Sequence, residues 1–562
     1  MRHKRASELL LSLFFTGAVF SDMAMGNTGF IRGDADRSGQ VDITDPIRIF
    51  GFLFFGDLRP PCNDALDSND SGKIDLADGI YLLNFLFRGA TPPPAPFPRS
   101  GDDLTADSLD CGEGAEWLSR WNRIALDASG LDHTPVHPPE NRVFGEQLGP
   151  CRASRAMAIV HIAMFESVNA ISGGFKSYLG LSPVPGGTSM KAAVVRAAHD
   201  TLVQLFPSQV PTFDERLSED LAAIPEGAAK SDGVALGAEV ARRVLQLRSS
   251  DGSQHKEPVL GLEYVPGPDP GIWRKDPMSE IRIAMGARWA EVAPFAMSSA
   301  SQFRAPVPPS ISSEAYAVAH DEVKRLGGDG VNTPTERTAE QTIIGLYWAY
   351  DGTPSLCAPP RLYNQIAVHI ARQMGTDIVP MARLLALVNV AMADAAIAVW
   401  DSKYHYKYWR PVTGIREADA GTGPTGGGDG NPATVADPAY RPLGAPASNS
   451  NDPNFTPPFP AYPSGHAGFG GAVFQTLRNF YGTDGIAFSF ISDEYNGLTR
   501  DRAGETRPLL SRHFSSLSEA EEENGQSRIY LGIHWAFDKT EGIVQGWRVA
   551  NHVFQNVFTP NP

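Results

Sequence analysis

From about residue 116 onward, apolar side chains recur every three to four positions. "SRAMAIVHIAMFESVNAI", "KAAVVRAAHDTLVQLF", "RTAEQTIIGLYWAY" and "MARLLALVNVAMADAAIAVWDSKY" all carry this helical period and end at Gly or Pro. Alternating strand patterns are scarce, so the periodicity predicts an all-α fold. It would be a large helical-bundle domain over 112–562, interrupted by one Gly/Pro/Asn-rich excursion at 421–462. A loop of that length inside a compact domain is either disordered or functional.

The N-terminus reads differently. "MRHKR" precedes the apolar run "LLLSLFFTGAVF" and the small residues of "MAMGN", the three-part shape of a secretory signal over residues 1–26. The run is shorter than the about 20 residues a membrane helix needs. With no other segment judged long and apolar enough, the expectation is a secreted or otherwise exported protein with no membrane span. An uncleaved anchor is the alternative.

Between the signal and the helical domain, over 27–90, a pattern repeats. "DADRSGQVDITD" starts at Asp34 and "DSNDSGKIDLAD" at Asp67, each followed by a short apolar run. Oxygen-bearing side chains occupy places 1, 3, 5 and 12, and glycine occupies place 6, where a sharp turn converges them. A hard cation such as Ca2+ needs six to eight oxygens around one point. The expected ligands are Asp34, Asp36, Ser38, Gln40 and Asp45 in the first loop. In the second they are Asp67, Asn69, Ser71, Lys73 and Asp78, with Gln40 and Lys73 contributing backbone oxygen. The last ligand is aspartate rather than the glutamate of an EF-hand, and no helix precedes the loop. The tandem resembles a dockerin type I module, which implies two Ca2+ sites, loop-plus-helix halves folded face to face, and a cohesin-like protein partner. "TPPPAPFPRSGDD" then reads as a semi-rigid proline-rich linker, 91–111.

Composition narrows the classes. The 562 residues, 42% hydrophobic and 20% charged, suit a soluble globular chain of more than one domain. A formal net charge of −16 argues against nucleic acid as a partner. Four cysteines do not make a disulfide scaffold. Cys62 and Cys111 flank one small region and could pair, while Cys151 and Cys357 are as readily buried thiols.

Against that acidic background, "SKYHYKYWRPVTGIR" gathers cations. Lys403 and Arg410 are seven apart, two helical turns, so both can face one way before Pro411 ends the helix. Lys407, four residues from Lys403, can share that face. Further on, "PPFPAYPSGHAGFGGAVF" opens an apolar helix with a tight turn, which offers N–H groups and the Ser464 hydroxyl to an anion. His466 sits in its first turn, where the helix dipole and nearby cations lower its pKa. In "SRIYLGIHWAFDKTEG", His534 and Asp538 are four apart on a helical segment. The carboxylate can therefore hold one imidazole nitrogen and leave the other as ligand or nucleophile. Arg528 adds a planar fork suited to oxyanions. Together these stretches describe a pocket for a tetrahedral or bipyramidal oxyanion.

"K-x6-RP", "PSGH" and "SR-x5-H-x3-D", in that order, resemble the signature of the vanadium-dependent haloperoxidase and PAP2-type acid phosphatase superfamily. "YWAYDG…PPRLYNQI" and "LGAPASNSND" extend the likeness toward the chloroperoxidases. The resemblance implies a vanadate cofactor bound directly by His534, with Lys403, Arg410, Arg528, Ser464 and the Gly465 amide on its equatorial oxygens and His466 on the apical one. It implies that Asp351 pairs with Arg528 and that Trp400 and Phe459 lie near the halide, Phe459 standing where bromoperoxidases carry histidine. The implied reaction takes hydrogen peroxide and chloride or bromide to hypohalous acid, which halogenates small organic substrates. His466 would assist proton transfer and Lys403 would polarise the peroxide.

Two other readings stay open. A PAP2-type phosphatase would use His534 to form a phosphohistidine and His466 to protonate the leaving group. A dockerin-bearing scaffold would use the large domain only for binding. The glycine-rich run "GTGPTGGGDG" departs from the fungal pattern and leaves halide and organic-substrate preference open.

Overall fold

The computed structural model describes residues 30–36, 38–55, 62–101, 105 and 113–561. The expected signal, 1–26, and Cys111 lie outside them. The chain forms two compact units, Met1–Glu113 and Gly114–Pro562.

In the first unit, helix α1 (Thr44–Phe50) runs into a π turn (Gly51–Phe55), followed by the short α2 (Asn63–Leu66) and α3 (Leu76–Arg88). Each loop-and-helix half is too small to bury a core alone. α1 packs on α3, and Ala35, Ile49, Leu66 and Leu82 close a small shared core. Gly33 holds φ +93°, and a Cβ there would meet Leu82 at 2.8 Å. The prolines read as linker do not leave this unit over 91–101. Carbonyls of this segment are taken up by the unit: Tyr81 donates to that of Pro92 at 3.0 Å, the Arg32 N–H to that of Pro96 at 2.7 Å, and the buried Arg32 Nε to that of Ala95 at 3.0 Å. Phe97 stacks edge-on against Phe85, and Phe30 and Gly101 exchange backbone hydrogen bonds. Cys62 is disulfide-bonded, whereas Cys151 and Cys357 are free buried thiols.

The second unit comprises α4 (Glu113–Asp132), α5 (Pro150–Ser172), α6 (Met190–Leu205), α7 (Val210–Ala222), α8 (Ala228–Arg248), α9 (Glu314–Leu326), α10 (Ala339–Tyr347), α11 (Pro360–Gln373) and α12 (Ile378–Tyr406). It continues with α13 (Pro411–Arg416), α14 (Gly465–Tyr481), strands β1 (Phe488–Asn496) and β2 (Leu509–Phe514), α15 (Leu517–Tyr530) and α16 (Ala536–Asn556). The periodic segments became helices as expected, and 421–462 contains no helix.

The antiparallel β1–β2 hairpin corrects the all-α expectation. Phe488 and Phe490 face the core while Ser489 and Ile491 face out. That period of two is present in "FSFIS" but lasts too few residues to stand out from helical texture.

α12 is the central helix. Contrary to the expectation of no such segment beyond the N-terminal run, it is long and apolar enough to cross a membrane, but its apolar stretch is fully buried among protein neighbours. α5, α11, α14 and α16 pack around it. Asp394, fully buried within it, accepts the backbone N–H groups of Phe295, Ala296 and Met297 at 2.6–2.9 Å and ties the long 249–313 connection to the bundle.

α14 and α16 approach almost backbone to backbone. A Cβ on Gly546 would lie 2.4 Å from the Gly468 carbonyl, and one on Gly471 would lie 2.5 Å from that of Ile543. Glycine on both faces allows the approach. It brings two helix N-termini together, so that the Ser464 N–H donates to the Asp538 carbonyl at 2.9 Å.

Candidate functional site

Three cationic side chains converge in the second unit, all essentially without solvent: Lys403, Arg410 and Arg528. Lys403 comes from the last turn of α12. That helix ends at Tyr406 because Lys407 turns left-handed, φ +53°, and the chain then runs extended to Arg410, the N-cap of α13. Arg410 is therefore not on the helix that carries Lys403, as the spacing had suggested. Pro411 shapes the residue before it into extended backbone, which aims Arg410 inward from a second element. Lys407 is exposed on the far side of this turn.

Backbone carbonyls hold Lys403 and Arg410, and a carboxylate holds Arg528. The Lys403 ammonium donates to the carbonyls of Pro460 and Ala461 at 2.8 and 2.9 Å, leaving one of its three N–H bonds available. Arg410 donates to the Phe459 and Ile533 carbonyls at 2.9 and 2.8 Å and to His534 Nε2 at 2.9 Å. Arg528, in the last turn of α15, grips both Asp351 oxygens through Nη2 at 2.7 and 2.9 Å. Its Nε and Nη1 are buried with no acceptor. Buried guanidinium donors without a partner are costly, so this arrangement is prepared for an anion.

Two histidines face these cations. His534 Nδ1 meets Asp538 at 2.8 Å, and Asp538 also accepts from the Trp535 N–H at 3.0 Å. The Arg410 guanidinium can only donate, so Nε2 presents its lone pair and Nδ1 carries the proton that Asp538 accepts. The expected helical segment is absent here. His534 precedes α16, and Asp538 is the third residue inside it, reaching back as a capping group. His466, in the first turn of α14, places Nε2 against the Ala349 carbonyl. Nε2 therefore bears its proton and Nδ1 is the basic atom.

The charges reinforce one another. Burial, then the Arg410 charge, holds Lys403 well below its ordinary pKa. Burial, then Arg528, lowers His466, and burial, then Arg410, lowers His534, so both rings are neutral at neutral pH. Burial pushes Asp538 up to about 7 and raises Asp351 against the pull of Arg528. Three cations face two carboxylates, and an incoming anion relieves the imbalance.

The site opens into a cavity of about 510 Å3 lined by His466, Arg528, His534, Gly465, Trp400 and Phe459 among others. The Trp400 and Phe459 rings lie 4.9 Å apart, and the Lys403 ammonium sits 5.7 and 5.1 Å from their centroids. Ser464 caps α14 beside Gly465. The structure thus assembles Lys403, Arg410, Ser464, Gly465, His466, Arg528 and His534, backed by Asp351 and Asp538.

Several supporting residues escaped the sequence reading. Tyr363 and Asn524 both donate to the His466 carbonyl, at 2.9 and 3.1 Å, and Asn524 stands one helical turn before Arg528. Glu494 is buried, pairs with Arg507, and accepts the Tyr350 N–H at 3.2 Å, which fixes the chain next to Asp351. The i, i+4 spacing from Arg528 was a usable signal for Asn524. Nothing local marks Glu494.

In the first unit the two loops repeat the same hydrogen bonds at places 1 and 12. Asp34 accepts from the N–H groups of Ser38 and Gly39, and Asp67 from those of Ser71 and Gly72. Asp45 and Asp78 likewise close their loops onto Asp36 and Asn69. Carboxylate oxygens of Asp34, Asp36 and Asp45 lie within 4.8 Å of one another. Burial raises Asp45 to about 6 and Asp78 to about 7.

Residues 383–560 match the family model of the VCPO second helical-bundle domain. Over 269 residues the chain is 42% identical to vanadium chloroperoxidase of Curvularia inaequalis, a match spanning 41% of this chain and 42% of that protein. The structure of the first bacterial vanadium-dependent iodoperoxidase superposes with TM-score 0.62 at 23% identity, covering 80% of this chain and 98% of the other. That of a holo-type bacterial vanadium-dependent chloroperoxidase gives TM-score 0.54 at 16% identity, covering 75% and 95%. The fold is the helical bundle of the vanadium haloperoxidases with a small two-stranded sheet.

Proposed function

We propose that this chain is a vanadate-dependent haloperoxidase that oxidises chloride or bromide with hydrogen peroxide. The observation that carries the reading is the pair of orphaned Arg528 donors beside the His534 Nε2 lone pair, inside a buried surplus of positive charge. Vanadate fits that donor set. His534 Nε2 would bind the metal, while Lys403, Arg410, Arg528, Ser464 and the Gly465 amide would neutralise its oxygens. The identity to vanadium chloroperoxidase supports the same assignment.

Bound vanadate supplies a Lewis acid that activates peroxide without itself changing oxidation state. The chain's own residues do the rest. His466 takes a proton from the peroxide at Nδ1 and returns it as the oxygen–oxygen bond breaks, because its Nε2 is already committed to Ala349. The remaining N–H of Lys403 draws charge from a peroxide oxygen. Trp400 and Phe459 exclude water from the halide's approach. The balance is halide plus hydrogen peroxide plus a proton giving hypohalous acid and water.

A phosphoryl group would satisfy the same orphaned donors, which keeps the phosphatase reading in play. One comparison separates them. The vanadate-loaded protein is assayed for peroxide-dependent chlorination and bromination, and the vanadate-free protein for phosphomonoester hydrolysis. Strong hydrolysis without halogenation reverses the assignment, and neither activity favours a binding or scaffold role.

Lys403 and Lys407 offer a sharper check. Lys403→Ala removes a charged hydrogen-bond donor worth about 1.5–3 kcal/mol and weakens vanadate binding roughly 10- to 100-fold. Lys407→Ala, exposed and outside the site, leaves affinity within about twofold. Vanadate titration of both variants reads the difference.

The first unit is proposed to bind two Ca2+ ions through the ligands of its repeated loops, in the manner of a dockerin. The matched hydrogen-bond pattern supports this, as does the Asn69 side-chain oxygen, which is buried without a partner. Ile43 and Ile47 around the start of α1, and Leu76 and Ile80 at the start of α3, are 44–61% exposed. They are the apolar surface a cohesin-like partner would cover. Export through residues 1–26 is part of the same proposal. Calorimetry of the intact protein should count two Ca2+ equivalents, Asp34→Ala and Asp67→Ala should each lose one, and EGTA should lower the melting temperature of this unit. A thermogram that ignores EGTA refutes the assignment.

A further inference from the structure

We infer that the cavity beside the oxyanion site holds the organic acceptor itself, a neutral electron-rich aromatic or alkene, so that halogen is transferred inside the protein. The inference rests on the haloperoxidase reading and deepens it. A single oxyanion needs only a fraction of about 510 Å3, whereas cavities that enclose whole organic ligands span about 300–1,000 Å3. Beyond the oxyanion site the lining is chiefly apolar, with Leu148, Ile281, Ile283, Met285 and Phe455 among its large side chains. Phe144, also in the lining, is 46% exposed, so an organic occupant of the cavity would cover apolar ring surface there.

Charge narrows the class. Apart from Arg528, Asp351 and the histidines, the charged lining residues are Glu280 and Asp452, both exposed carboxylates. No further cation is among the lining residues to receive an anionic acceptor. Leu148, Ile281 and Ile283 also precede residue 383, where the match to the helical-bundle family model begins. This part of the wall therefore lies outside the segment that the family model matches.

The chemistry closes without another reagent. The halide has already given two electrons to peroxide. In hypohalous acid, an electron-rich carbon attacks the halogen, the carbon–halogen bond forms, and the halogen–oxygen bond breaks. With an aromatic acceptor the departing hydroxide takes the proton lost from carbon, giving the halogenated ring and water; with an alkene it bonds to the second carbon, giving the halohydrin. An acceptor waiting in the cavity intercepts the halogen before hypohalous acid diffuses away.

The test uses the vanadate-loaded full chain with thymol as the neutral acceptor, 4-hydroxybenzoate as its anionic counterpart and taurine as a trap for free hypobromous acid. Thymol should bind saturably by calorimetry without peroxide, and 4-hydroxybenzoate at least tenfold more weakly. Bromothymol should form with an isomer ratio unlike that from reagent hypobromous acid. Ile281→Trp, which fills the cavity, should lower the thymol-to-taurine bromination ratio at least tenfold and restore the reagent's isomer ratio. Ile283→Trp is the second variant should the first not fold. Active taurine bromination with no saturable thymol binding and the reagent's isomer ratio would overturn the inference. Absence of taurine bromination by the unaltered protein would instead bring down the haloperoxidase reading, and this inference with it.

Discussion

His534→Ala loses vanadate binding and halogenation together. The ring is anchored at Nδ1 by Asp538, and that anchor fixes which nitrogen can bind metal. Removing residues that merely orient a metal ligand costs roughly 10- to 100-fold in affinity, so removing the ligand should exceed about 100-fold. The variant also leaves Arg410 Nη1 without one acceptor and Asp538 without one donor, both buried. A lower melting temperature should accompany the loss. Vanadate titration and bromination rates, measured on variant that remains folded, check the result. Undiminished halogenation would defeat the assignment of this site.

Arg528→Ala should be nearly as damaging, for two separable reasons. It removes the orphaned Nε and Nη1 donors that await an anion, and it strands Asp351, a buried carboxylate with a bidentate partner at 2.7 and 2.9 Å. Breaking a buried pair from one side costs about 3–5 kcal/mol of stability. The double variant Arg528→Ala/Asp351→Ala removes the stranded charge and should recover part of that stability. It should not recover vanadate affinity, because the donors are still missing. Urea denaturation and vanadate titration across the cycle separate the structural role from the binding role. Arg528→Lys keeps the charge but lacks the planar fork, so it should bind vanadate more weakly than the unaltered protein.

Much of the second unit was visible along the chain. α5, α6, α10 and α12 follow from three-to-four-residue apolar periodicity, because a helix that packs on one or more sides must repeat its apolar face at that interval. The β1–β2 hairpin was not visible, since "FSFIS" alternates for too short a run and its burial depends on the bundle it leans against. α12 misled in the opposite sense. Its composition fits a membrane as well as a core, and only its neighbours, which bury the apolar window completely, distinguish the two.

The site divides along the same line. His534 with Asp538, Ser464 before a helix and Arg410 before Pro411 are local relations, set by spacings of a few residues, and the sequence by itself determined them. Fold decided which cations matter. Lys403 and Lys407 look equivalent four residues apart on a helix, but the helix ends between them, so one is buried against the Pro460 and Ala461 carbonyls and the other meets water. The Asp351–Arg528 pair spans 177 residues, and Glu494 supports it from a strand with no local mark. The meeting of the Ser464 turn with Asp538 requires glycines that let α14 and α16 touch backbone to backbone. Local chemistry depends on neighbours along the chain, whereas burial and charge balance depend on neighbours in space, and these exist only once the helices have packed.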